Sequence, residues 1–240
     1  MDLKPYVLGV WKIIYTFDFK IITMKDNYEK IINQKYEALI KRSFKTKLEL
    51  FLFNFFCKNE KDSGKISTED FLSFKINDQL MNLYQKAWQF KDGKVEKDHK
   101  LTVAEIDEKI IRWNSENEEL KKFMLSVYYI YFKSSAFPLK DFKSVYPEEE
   151  EKRECSYCGI NEKVVKRLKN EFKIFTKSFR GGVIEIDRRN SNKEYSIDNI
   201  VLCCYWCNNA KSDEFTPDEF KEFIGPGMKK IWENRGILNR

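Results

Sequence analysis

Two Cys-x-x-Cys pairs, Cys155-Ser-Tyr-Cys158 and Cys204-Tyr-Trp-Cys207, flank the segment 159–203. Two thiolates two residues apart wrap one metal ion, and a second such pair completes a tetrahedron. Four sulfurs leave no open position for water, so a set of this kind staples a fold and does no chemistry itself; the expected ion is Zn²⁺. Cys203 is an adjacent competitor, but Cys204 alone has the two-residue spacing to Cys207. A redox dithiol would need one Cys-x-x-Cys in another context. Of six cysteines only Cys57 lies outside this cluster. In a reducing compartment such pairs read as metal ligands before disulfides, so a cytoplasmic location is expected.

The elements that must position this set fall in two halves. Residues 1–146 read as a helical domain and 147–240 as a second domain, with the charge-dense VYPEEEEKRE (145–154) as the break. In the first half, STEDFLSFKINDQLMNLYQKAW reads as one helix with Ser67 or Thr68 as N-cap and Phe71, Phe74, Leu80, Leu83, Tyr84 and Trp88 as its apolar residues. TVAEIDEKIIRW opens with a capping box, Thr102 and Glu105, and puts Ile106, Ile110 and Trp113 on one face. DSG at 62–64 and KDGK at 91–94 are turn signals. The aromatic runs FLFNFF and VYYIYF read as core.

In the second half NEKVVKRLKNEFKIFTKSF (161–179) reads as an amphipathic helix. Val165, Leu168, Phe172, Phe175 and Phe179 share its apolar face, and Lys166, Lys169, Lys173 and Lys177 gather beside it. VIEID (183–187) and IVLCC (200–204) read as strands around a polar loop, and CNNAK begins a helix. Thr216-Pro-Asp-Glu219 starts another, expected to end at Gly225-Pro-Gly227 before a last helix, MKKIWENR. The formal charge is +6, and basic residues crowd Lys152–Arg180 against only Glu154, Glu162 and Glu171. That imbalance beside a metal motif points to a polyanionic partner. No apolar run is long enough for a membrane span, and the broken hydrophobic start lacks a signal-peptide cleavage site.

Taken in register, Cys-x-x-Cys, then Ile-Glu-Ile-Asp187, then Tyr195-x-x-x-Asn199, then Cys-x-x-Cys-Asn208-x-x-Lys211 resembles the zinc-stapled branch of the HNH endonucleases, over roughly residues 153–213. The resemblance implies an α+β chain, mostly helical, whose C-terminal half is a ββα-metal module. It implies Asp187 as metal-binding carboxylate, Asn199 as the residue that holds the loop, and Asn208 as second ligand. A hard divalent ion, Mg²⁺ or Mn²⁺, prefers such oxygen donors and would stabilise charge on the scissile phosphate and the leaving oxygen.

One residue departs from the pattern. Arg188 stands where the family carries its general-base His, and an arginine cannot give up its proton in a protein. Tyr195 is the leading replacement, with Glu185 and Glu194 behind it, and Arg188 would then clamp phosphate. The sole histidine, His99, is not expected to reach the site. Water activated by the metal or substrate alone, or an inactive site, are the alternatives. Lys166, Lys173, Lys177, Arg188, Arg189 and Lys211 are the expected nucleic-acid contacts. The function implied is hydrolysis of phosphodiester bonds in DNA, with RNA as an alternative substrate, in restriction or other anti-phage defence. Inactive nucleic-acid binding, or a subunit gated by a defence partner or by self-association, is the rival.

Overall fold

The computed structural model describes residues 6–58, 65–89, 93–94, 99–134, 137–174, 180–212 and 214–238, with side chains from residue 27 onward, Trp88 excepted. It is mostly helical, with one two-stranded sheet. Helix α1 (Tyr6–Lys58) is followed by α2 (Thr68–Ser73), α3 (Asp78–Gln89), α4 (Val103–Glu116), α5 (Glu118–Ser134) and α6 (Leu139–Val145). Then come α7 (Glu162–Asn170), β1 (Glu185–Arg188), β2 (Ile200–Cys203), α8 (Tyr205–Lys211), α9 (Pro217–Glu219) and α10 (Gly225–Asn234). Residues 1–38 form one unit and residues 39–240 another. Among the described residues no helix is long and apolar enough to cross a membrane.

Caps explain where helices begin. Thr102 and Glu105 form the expected capping box of α4, and Ser67 forms one with Asp70 at α2. The segment expected as one helix from Ser67 is two, however. Phe74–Asn77 leave the helical path, and the Asn77 side chain accepts from the Leu80 amide at 2.8 Å, starting α3 afresh. The turn signal at 62–64, and Lys91 and Asp92 of the second, lie outside the described residues.

The aromatic runs are core, as their composition suggests. Phe71 of α2 sits edge-on to Phe44 and Phe51 of α1 and to Tyr128 of α5. From α5 a ladder of rings, Phe132, Phe137, Phe142 and Tyr146, leads towards the second half. It ends on a buried ionic knot. The Tyr146 hydroxyl donates to Glu162 at 2.8 Å, Arg153 pairs with Glu162 at 2.7 Å and lies over the Tyr146 ring, and Glu162 also accepts from the Ile184 amide. Each remaining polar atom of that pair needs such a partner, because burying an ion pair is otherwise unfavourable.

Two further expectations fail for identifiable reasons. α7 stops at Asn170 and does not run on to 179. Phe172 takes a left-handed conformation (φ 55), the Lys173 amide donates to the Leu168 carbonyl and the Phe172 amide to that of Lys169. This is a Schellman stop with phenylalanine in the place usually given to glycine. Val165 and Leu168 are buried as expected, whereas Phe172 is 82% exposed; Phe175, Lys177 and Phe179 lie outside the described residues. Conversely, Gly225-Pro-Gly227 does not end a helix. A π-helical turn, Phe220–Ile224, joins α9 to α10, and its wider winding accommodates Pro226, which has no amide to donate. Gly225 is required for packing here: a Cβ on it would stand 2.6 Å from the Tyr157 carbonyl oxygen.

Candidate active site

The cysteine knuckle organises everything around it. Gly159, at φ 73, closes the turn after Cys158, and its amide donates to the Cys155 carbonyl. The Ser156 amide donates to Leu202, pinning the knuckle to β2. Cys204 then caps α8, accepting from the Cys207 amide. The sulfurs of Cys155, Cys158, Cys204 and Cys207 all lie within 4.8 Å of one another and all four residues are buried. Cys158 and Cys204 are 3.7 Å apart, close to the roughly 3.8 Å edge of a tetrahedron of sulfurs bonded at about 2.3 Å. The donor set therefore fits a metal ion, and zinc is the ion its chemistry favours. Cys203 stands outside the set; burial pushes its thiol up, as suits a neutral side chain.

β1 pairs antiparallel with β2, with Asp187 opposite Val201 and Glu185 opposite Cys203. Alternation along β1 buries Ile186 and turns Glu185 and Asp187 to the other face. α8 packs on β1 and supplies two partners. Asn208 donates to Glu185 at 2.7 Å, and Lys211 lies 3.2 Å from Asp187 and donates to the Arg188 carbonyl at 3.0 Å. The two expected ligands, Asp187 and Asn208, thus sit on facing elements, each engaged with another side chain. Lys211, a candidate phosphate contact, is 1% exposed, and its ammonium lies 3.2 Å from Asp187.

The electrostatics separate the two carboxylates. Burial pushes Asp187 above its ordinary range, more than the charge and hydrogen bond of Lys211 pull it down. Its Oδ2 is buried, and the Lys211 ammonium at 3.2 Å is its partner among the described residues. A buried carboxylate on the strand face that also carries Glu185, packed against the helix that carries Asn208, offers oxygen donors of the kind a hard divalent cation prefers. Burial also works against charge on Glu185, but hydrogen bonds from Arg180 and Asn208 and the charges of Arg180 and Arg42 outweigh it and hold that carboxyl low. Glu185 is correspondingly a poor proton acceptor.

Asn199 sits inside the loop it was expected to hold. Its side-chain amide donates to the carbonyls of Asn190, Lys193 and Glu194, and its oxygen accepts from the Asn190 amide. The loop presents Tyr195 half-buried, with the Arg188 guanidinium 5.2 Å from the ring centroid and the Arg42 guanidinium at 5.8 Å. Among the described residues the Tyr195 hydroxyl has no hydrogen-bond partner. His99 is engaged elsewhere: its ring nitrogens lie 2.9 and 2.8 Å from the carbonyl oxygens of Leu101 and Cys57.

The expected basic contacts divide sharply. Lys166 is paired with Glu150 and Glu162, and Lys173 with Glu171. Arg188 and Arg189 have no carboxylate partner among the described residues, and Arg189 is exposed. Three residues that sequence reasoning missed complete the surroundings. Arg180 grips Glu185 through two nitrogens at 3.0 and 2.6 Å. Arg42 and Lys47, both from α1, reach the loop, the latter 3.9 Å from Glu194. Arg180 stood in the basic run, but nothing in the sequence connects α1 to the loop.

No family model matches the chain. No curated protein matches it either. Among solved structures, that of the rare-cutting HNH restriction endonuclease PacI matches with 31% identity over 42% of this chain and 68% of that chain, at a TM-score of 0.37.

Proposed function

We propose that the protein is a metal-dependent endonuclease of the HNH type that hydrolyses phosphodiester bonds in DNA. The observation that carries this reading is that Asp187 on β1 and Asn208 on α8 lie on elements that pack together, with Asp187 Oδ2 buried and Asn208 bonded to Glu185, also on β1. Asp187, Asn208 and the neighbouring Glu185 would hold Mg²⁺ or Mn²⁺. The ion supplies Lewis-acid stabilisation of a phosphate oxygen and of the leaving oxygen. The chain's own residues do the rest. Arg188 and Arg189 orient the phosphate and offset its charge, Asn199 fixes the loop, and Tyr195, acting as the phenolate, takes the proton of the attacking water and becomes the phenol. We assign residues 147–240 as the nuclease module and restriction or anti-phage defence as its setting.

The test is supercoiled plasmid incubated with the protein in Mg²⁺ or Mn²⁺, beside Asp187→Ala and a chelator, with single-stranded RNA as a second substrate. Cleavage of DNA by the wild type, cut by about 10²–10³-fold in Asp187→Ala, is the expected result; that is the scale for removing one preorganised charge at a reacting centre. Tyr195→Phe should then lower the rate while DNA affinity stays the same. A second reading has its own support in the Lys211–Asp187 pair, which already neutralises the carboxylate. In that reading the module binds nucleic acid without cutting it, and salt-sensitive binding persists without a divalent ion and in Asp187→Ala.

A further inference from the structure

Arg42 lies far from the cysteine motif in sequence, on the long helix that the nuclease reading leaves unused. Its guanidinium is nevertheless within 6 Å of the Tyr195 ring centroid, as is that of Arg188. Its charge is also felt at Glu185 on β1. Arg42 is exposed and has no carboxylate partner among the described residues.

The turn of α1 that carries Arg42 is fixed in place by its neighbours. Ser43 shares a 2.8 Å hydrogen bond with the buried Tyr128 hydroxyl. Lys47 is 4% exposed, with its ammonium 5.5 Å from the ring centroids of both Phe71 and Tyr128 and 3.4 Å from the Leu72 carbonyl oxygen. Burial pushes the Lys47 ammonium down, and Glu194 opposes that loss from the residue next to Tyr195. A second tether joins α3 to the same loop, Gln85 donating to Asn192 at 3.3 Å. The loop that presents Tyr195 is therefore held by Asn199 from within and by Lys47 and Gln85 from the helical layer. A guanidinium so placed, without a carboxylate partner among the described residues and over the same ring as a second one, is suited to phosphate oxygens, which arginine forks match.

We infer that Arg42 is a phosphate-binding residue of the active site, so that the helical half contributes directly to substrate binding at the nuclease module. The substrate group it takes is a backbone phosphodiester at the Tyr195 rim, where Arg188 also stands. This rests on the nuclease reading for its chemistry but not for its binding, and the two are tested separately. The variants are Arg42→Ala, Arg42→Lys and, as a control removing an equal charge from the same helix, Lys41→Ala. Each is examined for duplex binding as a function of salt in a chelator, for plasmid cleavage with Mg²⁺ or Mn²⁺, and for thermal unfolding.

The expected result is a salt-dependence slope lower by about one in Arg42→Ala. The slope is restored in Arg42→Lys and unchanged in Lys41→Ala, and all unfold with the wild type. Cleavage efficiency in Arg42→Ala falls about tenfold or more at low substrate. Wild-type slope and affinity in Arg42→Ala would overturn the inference even if the enzyme cuts DNA, as would an equal fall in Lys41→Ala. A wild type that never cuts, with the slope still lowered in Arg42→Ala alone, would overturn the nuclease reading and leave Arg42 as a phosphate contact.

Discussion

Helix α7 and the rim around Tyr195 are both rich in basic residues, but α7 holds most of its lysine charge in ion pairs and the rim does not. On α7, Lys166 is bound to Glu150 and Glu162, Lys163 to Glu151, and Lys173 beyond its end to Glu171, while Arg167 and Lys169 alone meet no carboxylate among the described residues. At the rim, Arg42, Arg188 and Arg189 meet no carboxylate among the described residues. Net charge in the sequence pointed first to α7, because Lys and Arg are densest there. Charge already matched within the chain releases few counterions when a phosphate approaches, so affinity should come from the rim. The comparison teaches that the relevant quantity is unpaired charge near the site, which is a tertiary property.

Removing the metal from the cysteine cluster should erase the comparison altogether. Cys155 and Cys158 begin the segment that leads to α7, and Cys204 caps α8, so both regions hang on the cluster. Ligation of a structural zinc contributes on the order of 10 kcal/mol to the folded state. Cys158→Ser, or a strong chelator, is expected to unfold the second half; loss of far-ultraviolet ellipticity and of one bound zinc per chain would be measured together. A variant that keeps its fold and one equivalent of metal would place the ion elsewhere.

The next largest effect tests the α7 side. Glu162→Gln leaves Arg153 buried without its carboxylate and should cost about 3–5 kcal/mol in denaturant unfolding. It also converts Lys166 to a more available charge and so shifts α7 towards the character of the rim. Burial alone would raise the Glu162 carboxyl; hydrogen bonds from Lys166 and Tyr146 and the charges of Arg153 and Lys166 outweigh it and hold it below 4.5. A carboxyl lowered on folding contributes stability that is full above its unfolded value and is lost as pH falls through the folded one. The gap between wild type and Glu162→Gln should thus be constant above about pH 5 and shrink below about pH 4. A gap independent of pH across that window would contradict the ionic knot.

Binding measurements sharpen the contrast directly. Arg188→Ala and Arg189→Ala should each lower the slope of log affinity against log salt by about one, whereas Lys166→Ala and Lys173→Ala leave it unchanged. Equal slopes for all four would show that pairing within the chain does not matter and would restore the basic helix as the contact surface.

Much of the scaffold was legible because its signals are local. Cysteine spacing placed the knuckle, and Thr102, Glu105, Thr216 and Glu219 marked helix starts through reciprocal caps. Asn199 was legible only through its register with the cysteines, and the structure places it at the centre of the loop it was expected to hold. What stayed hidden depends on distant segments. Lys211 looks like any helical lysine until β1 covers it, and Arg42 acquires meaning only when α1 lies beside the loop. Pro226 reads as a stop in the sequence because a π turn that absorbs it leaves no mark in composition.

The end of α7 is the most instructive miss, and it supplies the smallest predicted effect. A helix that stops in a Schellman turn usually shows glycine at the left-handed residue; this one has Phe172 at φ 55, so the apolar spacing ran on unbroken to 179. A non-glycine residue held there costs on the order of 1–2 kcal/mol. Phe172 recovers little of that by burial, since 82% of it is exposed. Glycine at this position would relieve the strain but add entropy to the unfolded chain, worth about 0.5–1 kcal/mol. Phe172→Gly is therefore expected to stabilise the protein by about 0.5–1 kcal/mol in denaturant unfolding and to leave DNA binding unchanged, because the ion pairs of Lys163, Lys166 and Lys173 are untouched. Substantial destabilisation would mean that the phenyl ring has a partner on this face; unchanged stability with weaker DNA binding would make Phe172 a contact to nucleic acid and α7 a second arm of the interface.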